Sequence, residues 1–242
     1  MSKGYEKNVY LAMLAEQCNR FEEMTEFLED MLKSREKDLN SDERNLLSIA
    51  YKNSVSTRRT ALRTIMAYEV KEKKKDASAF LTYIIEYRKK IEEELTKMCQ
   101  SVLATIDQHL LKRAEDDEAK VFYLKMKGDY NRYIAEYAAG DLKQQVADSA
   151  LESYKSASEA AKGLSAVHPI VLGLSLNFSV FYYEVINDHE TACKIANDTL
   201  DLAQKELPGM DEDDETNRDA LSIINLLRDN LEMWKAEAEE GA

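Results

Sequence analysis

The sequence predicts an all-α protein, and three observations carry that prediction. Among 242 residues there are only two prolines, Pro169 and Pro208, and seven glycines, too few for the turns of a sheet protein. Apolar residues recur at the i, i+3, i+4 spacing of a buried helical stripe. Helix-start signatures precede several of these stripes. Short connections make neighbouring helices antiparallel, so the expected architecture is an array of about nine mostly antiparallel helices.

Residues near 4–18 and 21–35 read as two short helices. In "LNSDERNLL", Asn40 and Glu43 have the spacing of a capping box, and a long helix follows to about Lys75, with Leu62, Ile65 and Met66 as its buried stripe. "KEKKKDAS" is a charged break. The next helix runs from about Ser78 to Lys112, with Ile84, Ile85, Ile91 and Leu95 inward. "AEDDEAK" places acids at the positive end of a fifth helix, which Gly140 and Asp141 close. A sixth covers about Leu142 to Gly163. Pro169 opens a seventh in its first turn. An eighth spans His189 to Leu207 and ends at "LPG"; "MDEDDETN" is an acidic loop. The last helix runs from about Arg218 to Lys235, and "AEAEEGA" (236–242) is expected to be a short, acidic, disordered tail on a single domain of residues 1–235.

A net charge of −13 argues against nucleic acid and anionic membranes as partners, without excluding a local basic pocket. No apolar stretch reads as long enough to span a bilayer, so no membrane insertion is expected. Cys18, Cys99 and Cys193 are odd in number and widely spaced. They suggest reduced thiols and a cytoplasmic location, with a nuclear one left open, and neither a disulfide framework nor a metal site. No P-loop, nucleophile elbow or zinc-ligand pair is present, and His109, His168 and His189 are isolated, so no catalytic residue and no cofactor is expected.

Against that acidic background, "KVFYLKMKGDYNRYIAEYAAGD" (120–141) gathers Lys125, Lys127 and Arg132. Such a cluster is a solvated face, an internal ion-pair set or a socket for an anion. Lys125 and Arg132 are seven residues apart, on one helical face to within about 20°. Asp129 stands between them at a spacing that can pair with either. Lys52 and Arg59 repeat the seven-residue spacing, roughly 10 Å along their helix. Two guanidinium groups, a point charge and the Tyr133 hydroxyl are the donors that a phosphate dianion needs. In "LGLSLNFSVFYYE" and "LSIINLLRDNLEMW", apolar stripes carry Asn177 and Asn230 beside them. These are core helices with structural amides, or walls of a groove that grips a peptide backbone.

The blocks "ERNLLSIAYKNSVSTRR", "KVFYLKMKGDYNRYIAEYAAGD", "HPIVLGLSLNFSVFYYEV" and "LLRDNLEMW" closely resemble the 14-3-3 family, in order and separation, from "LAEQ" to Trp234. The resemblance implies a homodimer of cup-shaped, nine-helix protomers, each with an amphipathic groove for phosphoserine or phosphothreonine segments of client proteins; a heterodimer with a sister isoform is the other assembly left open. It implies a non-catalytic adaptor acting on client conformation, localisation or assembly in signalling. By position, Lys52, Arg59, Arg132 and Tyr133 match the phosphate-binding residues. Asn177 and Asn230 match the asparagines that hold the peptide backbone. Leu176, Val180, Ile223 and Leu226 match the apolar wall, and Lys125, Glu184 and Trp234 match further groove positions. Arg20, Glu23, Tyr87, Lys90 and Glu94 match the dimer interface, where Arg20–Glu94 and Glu23–Lys90 would pair across.

The sequence departs from the family pattern at several positions. Ser222 stands where a groove leucine is common, Asn131 replaces a tyrosine, Leu62 a tryptophan and Ala79 an interface lysine. Ala61 replaces a serine whose phosphorylation weakens the dimer in some members, so that control is expected to be absent. A scaffold that binds unmodified helices or tails through the apolar groove is the competing expectation.

Overall fold

The computed structural model describes residues 3–75, 79–207 and 215–240, which hold nine α-helices. The chain separates into two compact units, Met1–Ala114 and Glu115–Ala242.

The first unit contains α1 (Lys3–Gln17), α2 (Phe21–Lys33), α3 (Ser41–Lys73) and α4 (Leu81–Thr105). The turn between α1 and α2 passes through Asn19 at φ 55°, a left-handed conformation that asparagine tolerates. The capping box forms at α3: Asn40 Oδ1 accepts from the Glu43 N–H at 2.9 Å, and Glu43 Oε2 accepts from the Asn40 N–H at 2.9 Å. Met24, Leu28 and Met31 of α2, Leu47 and Tyr51 of α3 and Leu95 of α4 are all essentially without exposure, with α2 and α4 each packed against α3. Each such side chain contributes about 1.5–3 kcal/mol of burial.

Two expectations for this unit change. Met66 is 38% exposed and is not part of a buried stripe, because at that level the covered face of α3 is the one that carries Glu69, buried and paired with Arg88 of α4 at 2.6 Å; Tyr68 and Val70 are exposed as well. The fourth helix does not stay α-helical to Lys112. Beyond Thr105 it widens into a π turn, Ile106–Leu110, and tightens into a 3-10 turn, Leu111–Arg113. Arg113 there donates to the Leu32 carbonyl at 3.0 Å, satisfying an end group of α2. Ser78, the expected start, lies outside the described residues.

The second unit contains α5 (Asp117–Ala135), α6 (Gly140–Ala160), α7 (Pro169–Phe181), α8 (His189–Glu206) and α9 (Glu215–Glu240). Asp116 caps α5 by accepting from the Ala119 N–H at 2.7 Å. His168 caps α7 through the Ile170 N–H at 3.2 Å, with Pro169 in the first turn as expected. Asp188 caps α8 through the Thr191 N–H at 3.0 Å. Gly140 opens α6 and does not close α5: its φ of +58° makes the turn into the new helix.

Pro169–Ile186, comprising α7 and its π-helical end, is 18 residues long with mean hydropathy 1.4, so by length and composition it does qualify as a span, against expectation. Here it is the hub of the unit: it packs against α5, α6, α8 and α9 and buries Leu172, Leu174, Phe178 and Phe181. On α9, Ala220, Ile224, Leu227, Leu231 and Trp234 form the inward stripe. That helix continues through Glu240, so residues 236–240 are helical where a disordered tail from 236 was expected. Ala236 and Ala238 are strong helix formers, and Glu237 accepts a hydrogen bond from the Tyr183 hydroxyl. The helix also begins three residues before Arg218; most of the acidic loop lies outside the described residues.

Candidate functional site

In the second unit, one face of α5 brings Lys125, Asp129 and Arg132 together at the spacing the sequence predicted. Asp129 and Arg132 are both buried. Burying two charges is costly unless each is paired and hydrogen-bonded, and the neighbours meet that demand. Lys125 Nζ donates to Asp129 Oδ2 at 2.9 Å. Asp129 Oδ1 accepts from the Tyr154 hydroxyl of α6 at 2.6 Å and from Asn177 Nδ2 of α7 at 2.8 Å. Arg132 Nε donates to the Tyr154 oxygen at 3.3 Å. Its Nη1 lies 3.4 Å from Glu136 Oε1 and 3.9 Å from Glu184 Oε2, and its Nη2 lies 3.9 Å from Asp129 Oδ1. The guanidinium sits 4.9 Å over the Tyr133 ring.

The electrostatics follow from these contacts. Burial alone would raise the Asp129 pKa, but Lys125, Arg132 and the Tyr154 hydroxyl outweigh it and hold the carboxyl below its ordinary value. Burial likewise opposes the charge on Arg132, yet its surroundings, Asp129 among them, raise its pKa above the ordinary value. The arginine is therefore a permanent cation. Its contacts are all long, 3.3 Å at Nε and 3.4–3.9 Å at the Nη atoms, so an incoming oxyanion can compete for the Nη atoms.

The apolar wall is present in the same unit. Leu176 and Val180 on α7 and Ile223 on α9 are partly buried against the α7–α8–α9 core. Leu226 is 48% exposed and Asn230 is half-buried on the same side of α9 as Ile223. Ser222, beside them, is exposed. Two other expected groove residues have more specific places. Trp234 is buried and stacks on Tyr183 at 4.6 Å, so it supports the wall from behind. Asn177 commits an amide N–H to Asp129 at 2.8 Å.

Lys52 and Arg59 belong to the first unit, on one face of α3. Lys52 is exposed and Arg59 half-buried. The expected interface residues are in this unit too. Arg20 Nε donates to Glu23 Oε2 at 2.7 Å within the chain, and Glu94 lies 3.8 Å from Arg58. Lys90 is exposed. Tyr10, Met13 and Leu14 of α1 and Tyr83 and Tyr87 of α4 are all about half exposed or more. Among the described residues no three His, Cys, Asp or Glu side chains converge as a metal site.

Tyr154 escaped the sequence expectations, because nothing in its own helix marks it. The usable signal was Gly128, a glycine inside a helix next to Asp129: a Cβ there would lie 2.6 Å from the Tyr154 ring. Glu136, one turn beyond Arg132, was also missed.

Comparison with known proteins gives the family. The family model described as "14-3-3 protein" matches residues 11–235, which span both units. The 14-3-3 protein homolog of Trichoderma harzianum is 49% identical over 241 residues, covering 99% of this chain and 91% of the relative. The 14-3-3-like protein A of Hordeum vulgare is 48% identical over 239 residues, 98% of this chain and 90% of the relative. The checkpoint signal transducer rad24 of Schizosaccharomyces pombe is 48% identical over 238 residues, 98% of this chain and 87% of the relative. The chain therefore belongs to the 14-3-3 family of non-catalytic signalling adaptors.

Proposed function

We propose that the protein binds phosphoserine- and phosphothreonine-containing segments of client proteins, as a homodimer, and so regulates client conformation, localisation or assembly. In this reading Lys52 and Arg59 act with Arg132 and Tyr133 on the phosphate. Asn177 and Asn230 meet the peptide backbone, and Leu176, Val180, Ile223 and Leu226 meet its side chains. The supporting observation is Arg132: a buried, permanently charged guanidinium held at Nε, with its Nη atoms at contact distances an oxyanion can improve on. The exposed apolar side chains of α1 and α4 support the dimer, since exposed ion pairs contribute only about 0–1 kcal/mol each. We place its work in the cytoplasm, with a nuclear pool as the alternative; fractionation of cells expressing a tagged chain would test it.

Titration of one peptide with and without its phosphate tests the reading. Two charge-assisted bonds at about 1.5–3 kcal/mol each make the phosphate worth well over tenfold in affinity. Lys52→Glu and Arg59→Ala are each expected to remove most of that difference while helicity and melting stay nearly unchanged. Equal binding of both peptides by the wild-type protein would favour a scaffold for unmodified segments. Full affinity in a folded Lys52→Glu protein would take these residues out of the site.

A further inference from the structure

We infer that the Tyr154 hydroxyl is a spacer that holds the Arg132 guanidinium off Asp129 and so keeps its Nη2 atom available to an anion. The inference rests on the phosphate reading above and names a positioning residue for it.

Arg132 and Asp129 are one helical turn apart, oppositely charged and both buried. Such a pair is expected to close into a direct, charge-assisted contact at about 2.8 Å. It does not: Nη2 and Oδ1 stand 3.9 Å apart. The Tyr154 oxygen lies between the two groups. It donates its proton to Asp129 Oδ1 at 2.6 Å and accepts from Arg132 Nε at 3.3 Å. Asp129 is meanwhile satisfied by Lys125 at 2.9 Å and Asn177 at 2.8 Å, so it does not need the arginine.

The spacer is itself held rigidly. The Tyr154 ring is fully buried, stacked on Phe178 at 5.2 Å and packed on Phe181 at 5.5 Å. Gly128 supplies the room, since any Cβ there would press on the ring. Burial, reinforced by the Asp129 charge, pushes the phenol pKa well above its ordinary value, so the hydroxyl stays a donor throughout the working pH range. A phenylalanine would keep the packing and remove only the oxygen. Arg132 would then lose its Nε acceptor and fall onto Asp129, and the cation would be spent inside the protein.

The test compares wild type, Tyr154→Phe and Tyr154→Phe/Asp129→Asn. The ratio of affinities for phosphorylated and unphosphorylated peptide is expected to fall roughly tenfold in Tyr154→Phe, a change of about 1.4 kcal/mol. Affinity for the unphosphorylated peptide should not change. In the double variant the carboxylate that captures Arg132 is neutral, so the ratio should recover at least in part. A tyrosine that only supports the fold would lower both affinities together and leave their ratio unchanged in Tyr154→Phe and in the double variant alike; that outcome overturns the inference. Crystal structures without ligand give an independent decision. In Tyr154→Phe the Arg132–Asp129 separation should close to a direct hydrogen bond, and an unchanged separation refutes the spacer. If wild type shows no preference for phosphate, the functional reading fails, while the variant structure still decides the spacer.

Discussion

Replacing Gly128 with alanine adds one methyl group at the most crowded point of the site. The new Cβ would lie 2.6 Å, 2.7 Å and 2.8 Å from three ring carbons of Tyr154. An ordinary contact needs at least 3.4 Å, so the ring must retreat by close to an ångström. Phe178 and Phe181 block that retreat, and the hydroxyl is pinned to Asp129 at 2.6 Å. In an open helix the substitution would stabilise by about 1 kcal/mol. Overpacking costs about 1–3 kcal/mol, and weakening the bond to a charged, buried acceptor costs about 1.5–3 kcal/mol more. The expected net loss is about 1.5–5 kcal/mol. Urea unfolding followed by circular dichroism measures it as a lower midpoint at unchanged slope. Gly163→Ala is the control, because nothing lies within 4 Å of its added Cβ, and it should change little. A Gly128→Ala midpoint equal to or above that of wild type would refute the crowding and the rigidity inferred for Tyr154.

Asp129 has a depressed pKa in the folded protein, so its contribution is fully present above the unfolded value of about 3.9 and is lost as pH falls through the folded value. Asp129→Asn should therefore cost about 3–5 kcal/mol at pH 7. The gap from wild type should shrink only below about pH 3.9; a gap of equal size at pH 7 and pH 2 would contradict this. The Tyr183 hydroxyl is pushed up to about 12 by its hydrogen bond to Glu237, then by burial and the Glu237 charge. Glu237→Gln, or deletion of residues 236–242, should bring its ultraviolet titration back toward 10, the value of an unperturbed tyrosine. No shift would mean that the end of α9 does not engage the tyrosine in solution. Sedimentation at low micromolar concentration should give twice the 27.7 kDa chain mass, and Leu14→Asp with Tyr87→Lys should give a folded monomer; a strictly monomeric wild type would remove the dimer from the proposal.

The ends of helices were the most legible features. The Asn40–Glu43 box, the Asp116 start and Pro169 in a first turn are local events, settled by side chains within three or four residues of one another. The ends placed wrongly had distant causes. The α9 terminus extends to Glu240, where Glu237 meets Tyr183, 54 residues away in the chain. Gly140 was read as a stop, but glycine composition does not say which of two flanking helices its turn belongs to.

Lys125, Asp129 and Arg132 fall on one face of α5 by helical period alone, so the sequence by itself determined that a cation pair would flank a carboxylate. It determined likewise the inward stripe of α9 and, through long matching blocks, the family. Tertiary structure alone decided what those charges do. Tyr154 and Asn177 come from α6 and α7, and only packing of the helices brings their polar atoms to Asp129. That contact decides whether the carboxylate captures Arg132 or leaves it available. The physical reason is range: period and capping act within a turn or two, whereas a buried charge is satisfied by whichever distant groups the fold places beside it.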